Sequence, residues 1–364
     1  MKTGQSESFP LTSLRLRFHC AAESHIQLGG LRAGSNLRGA LVNVMRRATC
    51  AEAPLLAGEG EGVRSAHLAI CPVCWLVAAN DHPGQERRGY VITPPLPEDP
   101  KGFSCFPSVD TSQPLTFSGD FSPQAKTFRV FESLEPGEAF DFHITLFGEA
   151  ARYLPYFVLA VPEIGRTGLG PGRGRFALKT IHAEHPLNGD WAILAEGENV
   201  VRPPAQNVTH ADIQQKAETF SDSLGSGAAL LRLDFLTPLR IILEERLLKS
   251  PDFGVIFNHI LRRLDELAVQ HAGGVVRPRE ERQRLWELAN RVRMVESQTR
   301  WVDVRSGSSR TGQPTWISGL VGPAWYSAPV KVWRELLPWL MWGEITQVGK
   351  DTSKGNGVYR LNVD

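Results

Sequence analysis

The chain has 364 residues, of which 42% are hydrophobic, and its formal net charge is +1. This near-neutral charge argues against a histone-like or tail-driven nucleic-acid binder, although a local basic surface would still bind a polyanion. The first ten residues contain no apolar run of signal length, and no stretch approaches the roughly 18 apolar residues of a membrane span. We therefore expect a cytoplasmic protein with no membrane partner. Five cysteines in so long a chain do not suggest a disulfide framework.

The first half of the chain alternates predicted strands and helices. Residues 11–20 alternate apolar and polar side chains, as a half-buried strand does. Residues 35–49 carry apolar side chains at helical spacing, with a serine and an asparagine at the start as candidate caps. An insertion over about 50–125, rich in proline and glycine, separates this helix from a strand over 139–147 and a helix over 149–162.

The second half repeats this order. Weak periodicity and a Pro-Pro pair predict a linker over 183–228. After the linker, LRLDF echoes the LRLRF of the first strand, and a late helix contains Pro338, which should end or kink it. Each half fits the order β-α-β-β-α-β. We therefore predict an α+β fold of two tandem ferredoxin-like (split βαβ) domains, over 1–182 and 229–364.

A short glycine-rich pattern occurs in both halves. Residues 172–178 follow GxGxFxL, residues 355–361 follow GxGxYxL, and a Gly-basic pair precedes each copy. Glycines allow close approach to a ligand and the basic residues supply charge for phosphate, so the repeat predicts a duplicated module that holds a polyanion. The alternative is a pair of surface loops whose basic side chains are merely solvated. A dinucleotide fingerprint is excluded because a strand follows where a helix is required, and neither loop contains the Gly-Lys-Ser/Thr of phosphate-loop NTPases.

Several segments carry a resemblance to a known family, in the order in which that family has them. They are 37–41 (LRGAL), 165–178, 235–239 (FLTPL), 301–310 and 349–359. Together they resemble the CRISPR-associated repeat-RNA processing endoribonucleases of the RAMP superfamily, which consist of two ferredoxin-like domains with glycine-rich loops.

This resemblance implies a function. The chain is expected to bind precursor CRISPR RNA and to cleave it within the repeat, which releases guide RNAs. The family's chemistry is independent of metal: the 2′-hydroxyl attacks the scissile phosphate and leaves a 2′,3′-cyclic phosphate, so no catalytic cofactor is expected. The alternative is a non-catalytic RAMP subunit that holds guide RNA in an effector complex, with other CRISPR subunits as partners.

The catalytic residues are harder to assign. The reaction requires a base, a cation beside the phosphate and an acid, and histidine and lysine suit these roles. In the family a histidine near the first helix is the commonest element, but residues 35–49 contain none. We therefore predict His25, in the loop before that helix, as the base, with a solvated surface histidine as the alternative. Lys350 is predicted to stabilise the phosphate or to position the RNA.

The RNA contacts are predicted at basic and glycine residues near the two loops and the first helix. They are Arg38, Arg166, Gly172, Arg173, Gly174, Arg175, Arg305, Arg310 and Lys354.

A separate pattern concerns cysteine. Cys71 and Cys74 form a C-x-x-C pair, and Cys50 ends the first predicted helix. Thiolates at this spacing bind zinc, but a structural site requires four ligands. The candidates for the fourth are His67, His82 and Cys105. We predict a zinc ion that stabilises the fold and takes no part in catalysis; the alternative is a pair of small half-buried cysteines.

Overall fold

The computed structural model describes residues 9–50, 67, 71–78, 88–96, 131–196, 199–200, 207–274, 276–307 and 314–363. Most of the predicted insertion over 50–125 lies outside these ranges, as do His82, Cys105 and Arg310. Among the residues described, no helix is long and apolar enough to cross a membrane.

The first half forms a largely antiparallel sheet with helices packed on it. Its elements are β1 (Ser13–Ala22), β2 (Ile26–Gln27), α1 (Ala33–Thr49), α2 (Pro72–Ala78), β3 (Tyr90–Thr93), β4 (Ser133–Leu134), β5 (Ala139–Phe147), α3 (Leu154–Thr167), β6 (Phe176–Glu184), β7 (Trp191–Glu196), β8 (Asn199–Val200) and β9 (Asn207–Val208). The strand order is β3-β5-β1-β6-β7-β8, and β9 also pairs with β1. The unit β1-α1-β3-β5-α3-β6 therefore has the ferredoxin-like order, with β1 and β5 in its centre.

The second half repeats that topology. Its elements are α4 (His210–Ser223), β10 (Ala228–Leu239), β11 (Ile242–Leu243), β12 (Arg246–Leu247), α5 (Phe253–His271), α6 (Arg279–Ala289), β13 (Arg293–Ser297), β14 (Arg300–Val302), β15 (Arg305–Gly307), β16 (Pro314–Trp316), β17 (Gly319–Pro329), α7 (Val330–Thr346) and β18 (Tyr359–Val363). The sheet order β13-β17-β10-β18 matches β3-β5-β1-β6 of the first half. The predicted α+β fold of two ferredoxin-like domains is confirmed.

Helix α1 shows how its sequence determines its packing. Leu37, Leu41 and Val44 are buried, as their helical spacing predicts. The cap prediction is wrong, because α1 begins at Ala33 and has no side-chain cap. Asn36 instead donates from its side chain to the carbonyl oxygen of Leu28 at 2.9 Å. Helix α7 likewise continues through Pro338 to Thr346, so this proline does not end it.

The segment 183–228, predicted as a linker, contains regular elements. Strand β7 extends the first sheet beside β6. Helix α4 begins at a capping box between Thr209 and Asp212 and buries His210 against α7, where the Trp342 indole donates to His210 Nδ1 at 3.1 Å. The segment therefore contains regular secondary structure, and the linker with its domain boundaries at 182 and 229 stays a prediction.

The two halves share a packed junction. The core of the second half includes Val91 and Phe147 from the first half. The side-chain amide of Gln347, just after α7, donates to the carbonyl oxygen of Ile92 at 2.9 Å. These contacts bring the start of α1 and the last residues of the chain to the same place.

Candidate active site and nucleic-acid interface

The first glycine-rich segment forms a closed turn between α3 and β6, here called the central loop (residues 168–175). Leu169 and Gly174 are joined by two backbone hydrogen bonds of 2.8 and 3.0 Å. Gly172, Arg173 and Arg175 are exposed, and a Cβ added at Gly172 would meet nothing within 4 Å. The tip of the central loop therefore presents two cationic side chains to solvent with free space beside them.

At two other positions of the central loop, glycine is required by close contact with the protein's own backbone. A Cβ at Gly170 would collide with the carbonyl oxygen of Gln27, and one at Gly174 with that of His25. Glycine at these positions lets the loop lie directly on the turn between β1 and β2. The sequence prediction that Gly174 makes room for RNA lacks support, because its space is filled by the protein's own backbone.

His25 belongs to this turn and therefore lies against the central loop. Its side chain is 56% exposed, and Nδ1 lies 3.0 Å from a carboxylate oxygen of Glu135. Since Glu135 holds Nδ1, Nε2 is the ring nitrogen left to face a ligand. The backbone amide of Arg175 donates to the Ser24 hydroxyl at 2.8 Å, which fixes the loop beside the histidine.

The second glycine-rich segment, the C-terminal loop (residues 349–358), is mostly buried. A Cβ at Gly357 would collide with the carbonyl oxygen of Val348. Lys354 is only 20% exposed in its side chain, and its ammonium pairs with Asp351 at 2.7 Å. Lys350 is exposed at the start of the loop, with its backbone amide bonded to the carbonyl oxygen of Arg240 at 2.8 Å. His25 and Lys350 share no hydrogen bond or ion pair in the described part of the chain.

The C-terminal loop packs on the start of α1. A Cβ at Gly34 would collide with the carbonyl oxygen of Lys354. Ser35 of α1 and Ser306 of β15 share a hydrogen bond of 2.7 Å between their hydroxyls. The N-terminal end of α1, β15 and the C-terminal loop thus form one rigid junction.

A cavity of about 280 Å³ opens at this junction. Its lining comes from both halves: Gly29, Leu31, Arg32, Glu132, Arg300, Val304 and Arg305. The three arginines are exposed and face one carboxylate, so the cavity carries excess positive charge. Arg32 is also the residue that precedes α1, so the positive end of that helix dipole adds to the potential. This is the chemistry of a phosphate-binding site.

The remaining predicted RNA contacts are scattered. Arg38 lies on α1, and its Nε is buried with no hydrogen-bond partner among the described residues. Arg166 is 72% exposed and pairs with Glu163 one turn earlier on α3, at 2.5 Å. Arg305 lines the cavity, and Arg310 lies outside the described residues.

The outward face of the first sheet carries a further polar cluster. Nδ1 of His19 lies 2.7 Å from Asp141, and Arg17 pairs with the same carboxylate. The ring of His182 on β6 stacks on that of the exposed Trp191 on β7, with 4.6 Å between the ring centroids. Burial first, and then the charge of Arg17, lower the pKa of His182. Sequence reasoning missed this cluster, because its members become neighbours only through strand register.

Deeper on the same face, His143 and Glu184 form a buried pair at 3.2 Å. Burial first, and then the charge of the nearby Arg15, lower the pKa of His143 to about 4. Burial alone would raise the pKa of Glu184, but the hydrogen bond from His143 and the charges of Arg15 and Arg17 bring it to about 2. The pair joins the central strand β5 to β6.

The three cysteines predicted as zinc ligands lie in one cluster of four side chains, and their binding of zinc stays a prediction. Sγ atoms of Cys50, Cys71 and Cys74 and a ring nitrogen of His67 all lie within 4.8 Å of one another. Of the three candidates for a fourth ligand, His67 is the one brought to the cysteines; the other two lie outside the described residues.

Sequence reasoning also missed Arg32 and Arg300 in the cavity. Arg32 directly precedes the first helix and follows a Gly-Gly pair, which was an available signal. Arg300 is far away in sequence and reaches the cavity only because the second half folds against the first.

Comparisons with known proteins place this geometry in a family. The model AF_1859_N, described as an N-terminal domain, matches residues 10–206, which is more than half of the chain. The model of the CRISPR-associated endoribonuclease Cas6 matches residues 233–359. No curated protein matches the chain in sequence.

Solved structures share the fold. A Cas6 product complex from Thermus thermophilus superposes with a TM-score of 0.52 and 14% identity, over 96% of this chain and 100% of the other. A partial Cas6-RT-Cas1–Cas2 complex gives a TM-score of 0.55 and 11% identity, over 98% of this chain and 47% of the other. The chain therefore belongs to the family of the AF_1859_N domain, which covers its first half, while its second half is similar to the Cas6 endoribonuclease domain and its fold is shared with the solved Cas6 structures.

Proposed function

We propose that this protein binds precursor CRISPR RNA across the junction of its two halves and cleaves it once within each repeat, releasing guide RNAs. The observation that carries this proposal is the cavity at the start of α1, where Arg32, Arg300 and Arg305 come together from both halves. Three guanidinium groups and a helix N-terminus provide a preorganised site for a phosphate group. The match to the Cas6 endoribonuclease model supplies the RNA substrate class.

The RNA path runs from the cavity to the central loop. His25 and Gly29 are four residues apart, so their Cα atoms are separated by at most about 14 Å. A backbone phosphate in the cavity therefore leaves a neighbouring part of the same strand within reach of His25 and of Arg173 and Arg175. The exposed Trp191 and its partner His182 offer a stacking surface for a base farther along the first sheet.

The chemistry follows from these positions. His25 accepts the proton of the 2′-hydroxyl through Nε2, while Glu135 orients the ring through Nδ1. The 2′-oxygen attacks the adjacent phosphorus, the bond to the 5′-oxygen breaks, that oxygen takes a proton from water and leaves as the 5′-hydroxyl of the downstream RNA, and a 2′,3′-cyclic phosphate remains on the upstream RNA. Lys350 stabilises the charge of the pentacoordinate phosphate, while the cavity arginines hold a neighbouring phosphate of the same strand. The reaction requires no metal, and it requires RNA because DNA lacks the nucleophile.

Partners follow from the same family. One structural neighbour is a Cas6 product complex and another contains Cas6 joined to RT-Cas1–Cas2. We propose that this protein likewise holds its RNA product and associates with other CRISPR subunits.

A second candidate function is a non-catalytic subunit that binds guide RNA. It is favoured by one observation: helix α1 has no histidine, and the nearest one, His25, lies in an exposed turn. A general base must be held within hydrogen-bond reach of the 2′-hydroxyl, and an exposed turn provides less of this positioning than a helix beside the scissile phosphate. Binding without cleavage would then be the whole activity.

The test is single-turnover cleavage of the organism's own CRISPR repeat RNA by purified protein in EDTA. We expect one cut, a 2′,3′-cyclic phosphate end, and complete protection when the scissile 2′-hydroxyl is replaced by hydrogen. Tight binding of the intact repeat with no cut would support the non-catalytic subunit. Cleavage that EDTA abolishes would contradict the proposed chemistry.

The cavity is tested separately. Replacing Arg300 and Arg305 together by alanine should weaken repeat binding by roughly tenfold or more, because two phosphate contacts are lost. The matched control replaces Arg284 and Arg334, exposed arginines on α6 and α7 that pair with Glu335 and Asp222. Equal binding by both double variants would remove the cavity from the RNA path.

A further inference from the structure

Four side chains with metal-binding atoms converge between α1 and α2. Sγ of Cys50 lies 3.3 Å from Nε2 of His67 and 3.5 Å from Sγ of Cys74, and Cys71 completes a group whose ligand atoms are all within 4.8 Å. Cys50, His67 and Cys74 are buried and Cys71 is partly buried. The cluster is separate from the residues predicted to bind RNA, since none of its four members lines the cavity or belongs to either glycine-rich loop.

Local structure explains how these residues meet. Cys50 follows the last turn of α1, where its amide donates to the carbonyl oxygen of Arg46 at 3.0 Å. The amide of Cys71 donates to the carbonyl oxygen of His67 at 2.9 Å, so these two residues lie one helical turn apart on one face. Cys74 lies in the first turn of α2, three residues after Cys71. The C-x-x-C spacing thus turns both thiols toward the end of α1.

The separations fit a tetrahedral ion. Zinc–sulfur bonds of about 2.3 Å at tetrahedral angles place two sulfurs about 3.7 Å apart. The observed 3.5 Å between the sulfurs of Cys50 and Cys74 agrees with this spacing. In addition, the amide of Cys74 donates to Sγ of Cys71 at 3.5 Å, which supports a thiolate at that position. Three sulfurs and one imidazole are the donors of a closed structural zinc site.

Packing of cysteines in the hydrophobic core does not by itself require a cluster of four metal-binding side chains. Cys20, also buried and free, lies in β1 within the apolar core of the first half, and it does not belong to the cluster of ligand atoms that contains the other cysteines described by the structure. A disulfide between Cys50 and Cys74 would use two of the sulfurs and would not account for the approach of the Cys71 sulfur and the His67 ring nitrogen. One ion satisfies all four.

We propose that Cys50, His67, Cys71 and Cys74 bind one Zn²⁺ that fastens α2 to the end of α1. All four positions are taken by protein, so the ion has no open position for a substrate and is structural. This inference goes beyond the proposed RNA cleavage and does not depend on it.

The zinc site also supports the junction. Trp75 of α2 packs edge-on against His271 of the second half, with 5.5 Å between ring centroids. Arg88 donates to the carbonyl oxygen of Val77 at 3.1 Å and to the hydroxyl of Ser353 in the C-terminal loop at 2.9 Å. Loss of zinc therefore frees α2 and removes support from the C-terminal loop.

The experiment is elemental analysis of the full chain purified without chelator, together with thermal unfolding. We expect one zinc per chain in the wild type and in Cys20→Ala, and loss of that zinc in Cys74→Ser and in His67→Ala. Prolonged EDTA at raised temperature should lower the melting temperature of the wild type and of Cys20→Ala, and leave that of Cys74→Ser unchanged.

A second measurement covers variants that fail to fold. Wild-type protein stripped of metal and titrated with Co²⁺ should develop the intense visible bands of a tetrahedral thiolate site at one equivalent. Absence of zinc together with absence of these bands would overturn the proposal, as would a full zinc content in Cys74→Ser. A Cys50–Cys74 disulfide found by mass analysis of freshly purified protein would also overturn it. Repeat-RNA cleavage, measured on the zinc-containing wild type and Cys20→Ala, reports separately on the proposed function.

Discussion

The central loop and the C-terminal loop share one sequence pattern but have opposite environments. In the central loop Gly172, Arg173 and Arg175 are exposed. In the C-terminal loop the corresponding glycine, Gly355, is buried against Pro94 and Gly34, and the nearest lysine pairs with Asp351. The duplicated pattern is thus exposed to solvent in the first half and packed into the junction in the second. A repeated motif records a common fold and does not by itself assign a common role.

The largest expected effect is on the cleavage rate, and it distinguishes His25, beside the central loop, from Lys350 in the C-terminal loop. His25→Ala should slow single-turnover cleavage roughly 10²–10⁴-fold with RNA affinity nearly unchanged, because a general base acts only in the reaction. Lys350→Ala should slow cleavage less and also weaken binding, because its charge acts on the ground-state phosphate as well. Rates and dissociation constants of both variants provide the measurement.

Two results would break this assignment. Full activity in both variants would mean that the catalytic groups lie elsewhere; the His19–Asp141 pair on the open sheet face is then the next to test. Loss of binding in a folded His25→Ala would make His25 an RNA contact.

A pair of glycine substitutions compares the packing of the loops. Gly357→Ala adds a Cβ at a φ of 74° that collides with the carbonyl oxygen of Val348, and should lower the free energy of unfolding by roughly 2–4 kcal/mol. Gly172→Ala, with open space around it, should stay within about 0.5 kcal/mol of the wild type. Urea unfolding measures both. Equal effects would contradict the distinction between a packed loop and a presented one.

Lowering the pH should destabilise the folded protein through His210, which packs against α7 in the second half. Burial first, and then the charge of Arg277, lower the pKa of His210 to about 4, and its Nδ1 accepts from Trp342 in the helix that leads to the C-terminal loop. The folded state therefore requires the neutral imidazole, and its stabilisation is complete above about pH 6.5 and lost as the pH falls toward 4. Between pH 7 and pH 5 the wild type should lose about 1–2 kcal/mol more unfolding free energy than His210→Gln. Parallel pH dependences in the two proteins would remove His210 from this account.

The smallest effect concerns the tip of the central loop. Replacing Arg173 and Arg175 together by alanine should weaken RNA binding by roughly tenfold and reduce the slope of log affinity against log salt by about 1.4, since each lost phosphate contact contributes about 0.7 on a single strand. Stability should not change, because both side chains are exposed. Binding titrations from low to moderate salt provide the slope; an unchanged slope would place the RNA away from the central loop.

Much of the fold could be predicted from periodicity. The buried face of α1 and the two β-α-β-β-α-β halves follow from local patterns that the structure keeps. Pro338 was misleading because α7 is fully packed in the second core, where burial outweighs one lost backbone hydrogen bond. The segment 183–228 was underestimated because β7 and α4 gain their stability from partners distant in sequence.

The candidate site was only partly predictable. Arg173 and Arg175 followed from adjacent glycines, and the C-x-x-C pair pointed to the metal cluster. The role of Gly174 could not be seen, because its neighbour is the carbonyl oxygen of His25, about 150 residues away in sequence. Arg32 and Arg300 likewise meet only in three dimensions, at the junction of the halves.

The most direct test of the central claim is amide hydrogen exchange on the full chain with and without repeat RNA. The account predicts that RNA protects the central loop (residues 168–175) and the cavity segments 29–32 and 300–305, and leaves the buried amides of 352–358 unchanged. Protection confined to the C-terminal loop, with the central loop exchanging as in the free protein, would contradict it.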